Sequence, residues 1–357
     1  MRSHAPIVAA LTFAALSTTP SACAAIAADS VFATIRAHDV HGAAADWPAI
    51  EAEFRSRLSS AATEADSARA IVRVFERLGD VHSHLIVRGA GYAWWRPVDD
   101  STLARLQPLV ARGQSETGVT RTATLGGRWR YVRLSGIRAW GTELPAATQA
   151  VADSLCSGGN AAGVILDLRV NNGGQLSAMV AGLAAVFGDG DVGSSVDRDG
   201  RVTRTFAVKG GAFLMNGAEQ ARSRGRCGAS FRDLPVAVLL GPVTMSSGSI
   251  TALMLRGRPR VRLFGEPTAD GYTTGNDYFW FDANTSMNLA TGVLRDRSGR
   301  AYPGAVEPDE AIVAPWDLDH PARDPVVQRA VKWLESGGKL RHGRLSLGDG
   351  AASAVCC

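Results

Sequence analysis

Apolar positions recur at helical spacing through the first part of the chain. Ile50, Phe54 and Leu58 stand at i, i+4 and i+8, and Ala68, Ile71, Phe75 and Leu78 share a second face. Asp46 before Trp47-Pro48 predicts a helix start, since an aspartate accepts from free first-turn amides and proline suits the first turn. Thr63-x-x-Asp66 predicts a capping box for the next helix, and Gly79, free to take a positive φ, predicts its end. Residues 28–85 therefore read as an N-terminal helical bundle. Residues 86–128 read as a mixed connecting segment, with Trp94-Trp95 ahead of Pro97 as a buried corner.

The period changes from about residue 129. Residues 129–135 alternate like a strand, whereas 163–168 and 235–241 are continuous apolar runs, as expected of strands buried on both faces. Helical stretches at 175–187 and 247–255 separate them, and 261–264 follows as a third buried strand. Strand–helix–strand alternation implies right-handed crossovers. The fold class is therefore α/β, a mainly parallel sheet with crossover helices beside the helical bundle. Further strands are expected at 278–281 and 287–290, a closing helix at 325–334, and a loose Gly/Ser/Ala-rich tail over 338–357.

Composition narrows the function classes. The 357 residues are 46% hydrophobic and 20% charged with a formal net charge of +4, which excludes a disordered, collagen-like or coiled-coil chain. The length suits one large domain and a smaller companion. The charge gives no reason to expect nucleic acid, and the basic clusters at 222–226 and 256–262 are short enough to be solvated loops. Residues 1–27 read as a signal peptide: a weakly positive start, a short apolar run at 7–16, then small residues around Ala22-Cys23-Ala24 and Ala25-Ile26-Ala27. Cys23 is an alternative lipid-anchor site, although Pro20-Ser21-Ala22 before it lacks the usual leucine. No later run is long enough to span a bilayer, so an exported, periplasmic or extracellular protein is expected. In such a compartment Cys156 and Cys227 could pair or remain two thiols, and the sequence leaves both open. No Cys/His spacing resembles a zinc site, and no G-x-G-x-x-G or P-loop occurs, so neither metal nor cofactor is expected.

Three segments could carry chemistry. Thr244-Met245-Ser246-Ser247-Gly248-Ser249 follows a buried strand and opens a helix, where free amides and the dipole would stabilise an oxyanion. The local sequence by itself favours an ordinary serine cap there, since serine is a preferred cap residue. Leu78-Gly79-Asp80-Val81-His82-Ser83-His84 puts two histidines around a serine just past a helix, and imidazole is the usual base for a hydroxyl nucleophile. A structural histidine is the alternative. Asp167-Leu168-Arg169-Val170-Asn171-Asn172-Gly173-Gly174 ends a buried strand in paired glycines, which let backbone approach a ligand or simply make a tight turn.

These motifs in this order, followed by Gly265-Glu266-Pro267-Thr268 and Val306-Glu307-Pro308-Asp309, resemble the S41 serine peptidases, the tail-specific proteases and their tricorn-core relatives. The resemblance runs from about residue 30 to 335 and implies a ClpP/crotonase-like core over 129–337. It implies Ser246 as nucleophile, with an oxyanion hole from Ser247 and the glycine pair Gly173 and Gly174. The lysine base of tail-specific proteases has no counterpart in Thr268-Ala269-Asp270-Gly271-Tyr272, whereas His82 matches the tricorn-like base. The interval 86–128 spans 43 residues, too few for a PDZ domain. Ser249 stands where the family has glutamate, and Tyr302 where the tricorn-like branch has its orienting acid. Asp80, Glu266, Glu307 and Asp309 are the candidates to replace that acid, and Arg169 the candidate to hold a substrate carboxylate. The expected partner is a peptide or protein substrate. The alternatives are a degenerate S41-like binding protein for an apolar ligand or peptide, and a serine esterase, for which G-x-S-x-G is missing.

Overall fold

The computed structural model describes residues 27–338, apart from 225, 226 and 228. The predicted leader, Cys23 and nearly all of the predicted loose tail lie outside the described residues.

Three helices open the described chain: α1 (Ala28–His38), α2 (Trp47–Ser59) and α3 (Glu64–Leu78). Asp46 caps α2 by accepting from Ala49 N–H, Thr63 and Asp66 form the reciprocal capping box of α3, and Gly79 ends α3 at φ 73°. Their apolar faces pack Phe32, Phe54, Ile71 and Phe75 against Leu85, Met287 and Leu289. The segment after them forms β1 (His84–Val87), β2 (Ala90–Ala93), helix α4 (Asp100–Ser115) and β3 (Thr120–Leu125). Trp95 does not form a buried corner: it is 68% exposed, because the chain there runs over the surface toward α4 instead of turning inward.

The remaining elements are β4 (Trp129–Leu134), α5 (Leu144–Cys156), β5 (Gly163–Asp167), α6 (Leu176–Gly182), α7 (Ala184–Phe187), β6 (Gly190–Val196), β7 (Val202–Lys209), β8 (Ala212–Met215) and β9 (Ala218–Arg222). They continue with β10 (Val236–Leu240), α8 (Ser247–Leu255), β11 (Val261–Gly265), β12 (Thr274–Trp280), β13 (Thr285–Arg295), β14 (Ala301–Tyr302), β15 (Glu310–Ala311) and α9 (Pro325–Glu335). Two sheets result. One runs β15-β11-β10-β5-β4-β3 and is parallel except at its β3–β4 edge. The other holds nine strands in the path β2-β1-β13-β6-β7-β8-β9, with β12 and β14 also on β13, and every pairing in it is antiparallel. The expectation of a mainly parallel sheet is thereby corrected. The parallel crossover unit exists, but the larger sheet is built from hairpins that long apolar runs do not announce.

Strand alternation explains how the parallel sheet is covered on both faces. Val236, Val238 and Leu240 of β10 point into the core shared with α5, α6 and α8, while Ala237 and Leu239 point toward α9 with its Trp333. Cys156, at the end of α5, is disulfide-bonded to Cys227, across 71 positions of chain. Closing a loop of that length is worth about 4 kcal/mol in the chain-entropy account. Among the described residues, no helix is long and apolar enough to cross a membrane.

Candidate active site

The two parallel strands that end nearest one another deliver the two turns of the site. The turn after β10 places Ser246 at φ 54°, ψ −128°, a strained backbone for a residue with a side chain. Interlocking bonds hold it there. Thr244 Oγ1 donates to Leu168 O (2.8 Å) and accepts from Gly241 N–H (3.0 Å), and Met245 N–H donates to Asn171 O (3.0 Å). Ser249 is fully buried and donates to Thr244 O (3.1 Å), so its hydroxyl closes the turn.

The turn after β5 carries the glycine pair. A Cβ on Gly173 would stand 2.6 Å from Ser246 Cβ, so only glycine admits the neighbouring turn so closely. Gly173 N–H donates to Asn171 Oδ1 (2.9 Å), whose amide group is in turn anchored on Leu134 O and Ser135 O. The Gly174 and Ser247 amides have no acceptor among the described residues. Ser247 Oγ donates to Gly174 O (2.6 Å) and ties the two turns together. Gly174, at φ 112°, and the first amide of α8 thus remain available to an oxygen anion.

His82 arrives from the other sheet. Asp80 Oδ1 accepts from His82 N–H (2.8 Å) and Ser83 N–H (3.0 Å), and Ser83 Oγ accepts from Ala290 N–H of β13 (2.8 Å). These bonds set the turn that leads into β1. The imidazole bridges the sheets: Nε2 lies 3.0 Å from Ser246 Oγ, and Nδ1 lies 2.6 Å from Thr274 Oγ1 at the start of β12. Thr274 Oγ1 donates to Asn276 Oδ1 (2.7 Å), so its one proton is committed and it accepts from Nδ1–H. With the Asn276 amide in this orientation, Nε2 is the acceptor facing the serine hydroxyl. Burial pulls the His82 pKa down to about 4, against the opposing pull of the Asp80 charge, so the ring is neutral at neutral pH. A hydroxyl 3.0 Å from an unprotonated imidazole nitrogen is arranged for proton transfer.

The other predicted residues stand elsewhere. Asp80 orients the backbone of the His82 turn and makes no bond to its ring. Glu266 pairs with Arg105 of α4 (2.6 Å). Asp309 caps Leu263 N–H and pairs with Arg256, which also binds the backbone oxygen of the exposed Glu307. Tyr302 is buried and donates to Asp296 (2.9 Å), with burial first and that bond second pushing its pKa up to about 12. Arg169 is wholly buried between Asp167 (2.7 Å) and Asp324 (2.9 Å). Burial opposes its charge, yet the two carboxylates hold it ionised, so it is a structural ion-pair centre with no exposure to a ligand.

Sequence reasoning missed Thr274, Asn276 and Asn171. Thr274 and Asn276 share one face of β12, a signal that acquires meaning only once β12 is known to run beside the His82 turn. Metal-type donors cluster once among the described residues, where Asp39, His41 and Asp80 bring one donor atom each to within 4.8 Å of one another. Asp39 is fully buried there, and burial pushes its carboxyl up to about 6.

Comparison with known proteins places the fold and the family. The chain is 32% identical over 140 residues to the nisin-resistance protein of Lactococcus lactis subsp. lactis, covering 39% of this chain and 42% of that one. The match thus spans about two fifths of the curated relative. A solved lipoprotein structure from Streptococcus agalactiae shares the fold at TM-score 0.64 and 19% identity, over 87% of this chain and 95% of that one. A solved structure from Parabacteroides merdae does so at TM-score 0.55 and 17% identity, over 91% and 98%. The sequence model of Peptidase family S41 matches residues 129–312, half of the chain. The chain belongs to peptidase family S41.

Proposed function

We propose that Ser246 and His82 form the catalytic dyad of an exported peptidase that cleaves unstructured peptides. The observation that carries this reading is the single imidazole held between Ser246 Oγ and Thr274 Oγ1. His82 Nε2 takes the hydroxyl proton as Ser246 Oγ attacks a peptide carbonyl. The oxyanion is received by the amides of Gly174 and Ser247, and the imidazolium gives its proton to the leaving amine. Water, deprotonated by the same ring, then releases the acyl group and restores the serine. Backbone amides poised this way contribute about 10²–10³ in rate each.

Thr274 and Asn276 take the place of the orienting acid, in that they select the ring tautomer without adding charge. Export is supported by the leader-like segment 1–27 and by the Cys156–Cys227 disulfide. The Streptococcus relative is described as a lipoprotein, which is consistent with an anchor at Cys23. The Lactococcus relative is named for resistance to nisin, which is consistent with a peptide substrate. The division into bundle (28–85), connecting segment (86–128) and catalytic domain (129–337) is part of the same proposal.

The test is hydrolysis of a flexible fluorogenic peptide. Ser246→Ala and His82→Ala are expected to lower kcat by at least about 10⁴-fold. Parental turnover in either folded variant overturns the dyad. An apolar ligand bound tightly by a wild type that cleaves nothing would favour the degenerate binding protein instead.

A further inference from the structure

Helix α4 buries only Gly113 among its sixteen residues, yet it carries an apolar face. Leu106, Leu109 and Val110 of that face line a cavity of about 550 Å³ whose opposite wall includes Val81, Val243 and Met245. The helix is held over this space by its ends and flanks, through Arg105–Glu266 (2.6 Å), Arg112–Asp319 (2.5 Å), its cap residue Glu116 on Arg133 (2.8 Å) and the close seat of Gly113 on Val170 O. Its apolar side chains therefore face an opening instead of a core. The rim continues the same chemistry, since Trp95 and Val98 both line the cavity and are both exposed.

The cavity adjoins the dyad. Met245 lines it, while Ser246 and Ser247 line the neighbouring cleft with His82 and Gly174, so the chain passes from one space to the other at the nucleophile. Two arginines line the cavity. Arg96 is neutralised by Asp270 (2.5 Å). Arg138 makes no hydrogen bond or ion pair among the described residues, and its guanidinium lies against Gly174, where an added methyl group would collide with it. An unpaired guanidinium beside an apolar hollow suits a ligand with a carboxylate next to a large hydrocarbon group.

We propose that the space beneath α4 is the specificity subsite of the peptidase, taking a large apolar side chain of the substrate while Arg138 binds a carboxylate adjacent to it. The proposal rests on the catalytic reading of Ser246. The carboxylate is supplied either by the chain terminus or by an acidic side chain.

Binding measured on Ser246→Ala protein tests it without turnover. Four fluorescein-labelled pentapeptides serve as probes in anisotropy titrations: one ending in leucine with a free carboxylate, its amide, the alanine counterpart of the acid, and an amidated peptide ending Leu-Glu. The leucine acid is expected to bind at least tenfold more tightly than either its amide or the alanine acid. Arg138→Ala should abolish the acid-over-amide preference and Arg138→Lys should restore part of it. Leu109→Trp, which fills the space, should abolish the leucine-over-alanine preference, with Leu106→Gln as a second variant if the first misfolds by circular dichroism. Tight binding of the Leu-Glu amide would assign the carboxylate to a side chain, and weak binding to the terminus. Equal affinities across the panel, or preferences that survive both kinds of variant, overturn the proposal. Peptide hydrolysis by Ser246→Ala at the parental rate would instead sink the dyad and leave the binding result standing.

Discussion

A hydroxyl and an amide stand behind His82 where a carboxylate would add charge, and the half-buried ring is partly withdrawn from water. Both features favour the neutral imidazole. Protonation therefore waits until the pH falls well below the ordinary histidine value. The acid limb of kcat/KM is expected near pH 4, with activity held above it and lost as pH drops through it. A limb near 6.5 would contradict the burial of the ring. Thr274→Val removes the acceptor for Nδ1–H. It should lower kcat by about tenfold with little change in KM, well short of the loss expected of His82→Ala. Thr274→Ser should restore it, since serine keeps the acceptor, whereas a merely packing role would be met equally by valine. Arg169 poses the opposite case. Removing it strands Asp167 and Asp324 without their cation, so Arg169→Ala should destabilise the fold by about 3–5 kcal/mol in urea titrations.

At the scale of elements, α4 shows how two local effects compete. Gly113→Ala gains about 1 kcal/mol of helix propensity. Its Cβ would stand 2.7 Å from Val170 O, and such overpacking costs about 1–3 kcal/mol. A net loss in Tm is expected, because that oxygen belongs to backbone and cannot swing aside. A gain in Tm would mean that the helix lifts freely. The same helix marks a limit of sequence reading. It carries Pro108 in its interior and buries a single residue, so neither period nor composition declares it. By contrast Asp46, Thr63, Asp66 and Gly79 cap and end the early helices as their side chains predict, since capping is a local bond. The runs at 163–168 and 235–241 declared their strands because both faces are covered. Strands β6–β9 escaped notice because much of their length is exposed or half-buried: β7 and β9 bury only Phe206, Val208 and Ala221, and β6 is bent by Gly190 and Gly193 at positive φ. Ser246, His82 and the glycine turn were legible as ordered motifs. The Thr274–Asn276 relay was not, because it exists only through the pairing of β12 with β13.

For the whole molecule, the decisive fact is that the two partners of the 3.0 Å contact stand on turns attached to different sheets. Ser246 lies in the turn after β10 of the parallel sheet and His82 in the turn before β1 of the antiparallel one, and one continuous core packs the two sheets together. A slight shift of one turn against the other lengthens that contact before the shared core melts, and hydrogen bonding fades steeply with distance. Peptide hydrolysis is therefore expected to fail at a lower urea concentration than the far-ultraviolet circular dichroism signal, and coincident midpoints would refute this. Turnover would thus double as a gauge of how exactly one shared core spaces two distant turns, and any agent that shifts them apart by an ångström or so would silence it before that core gives way.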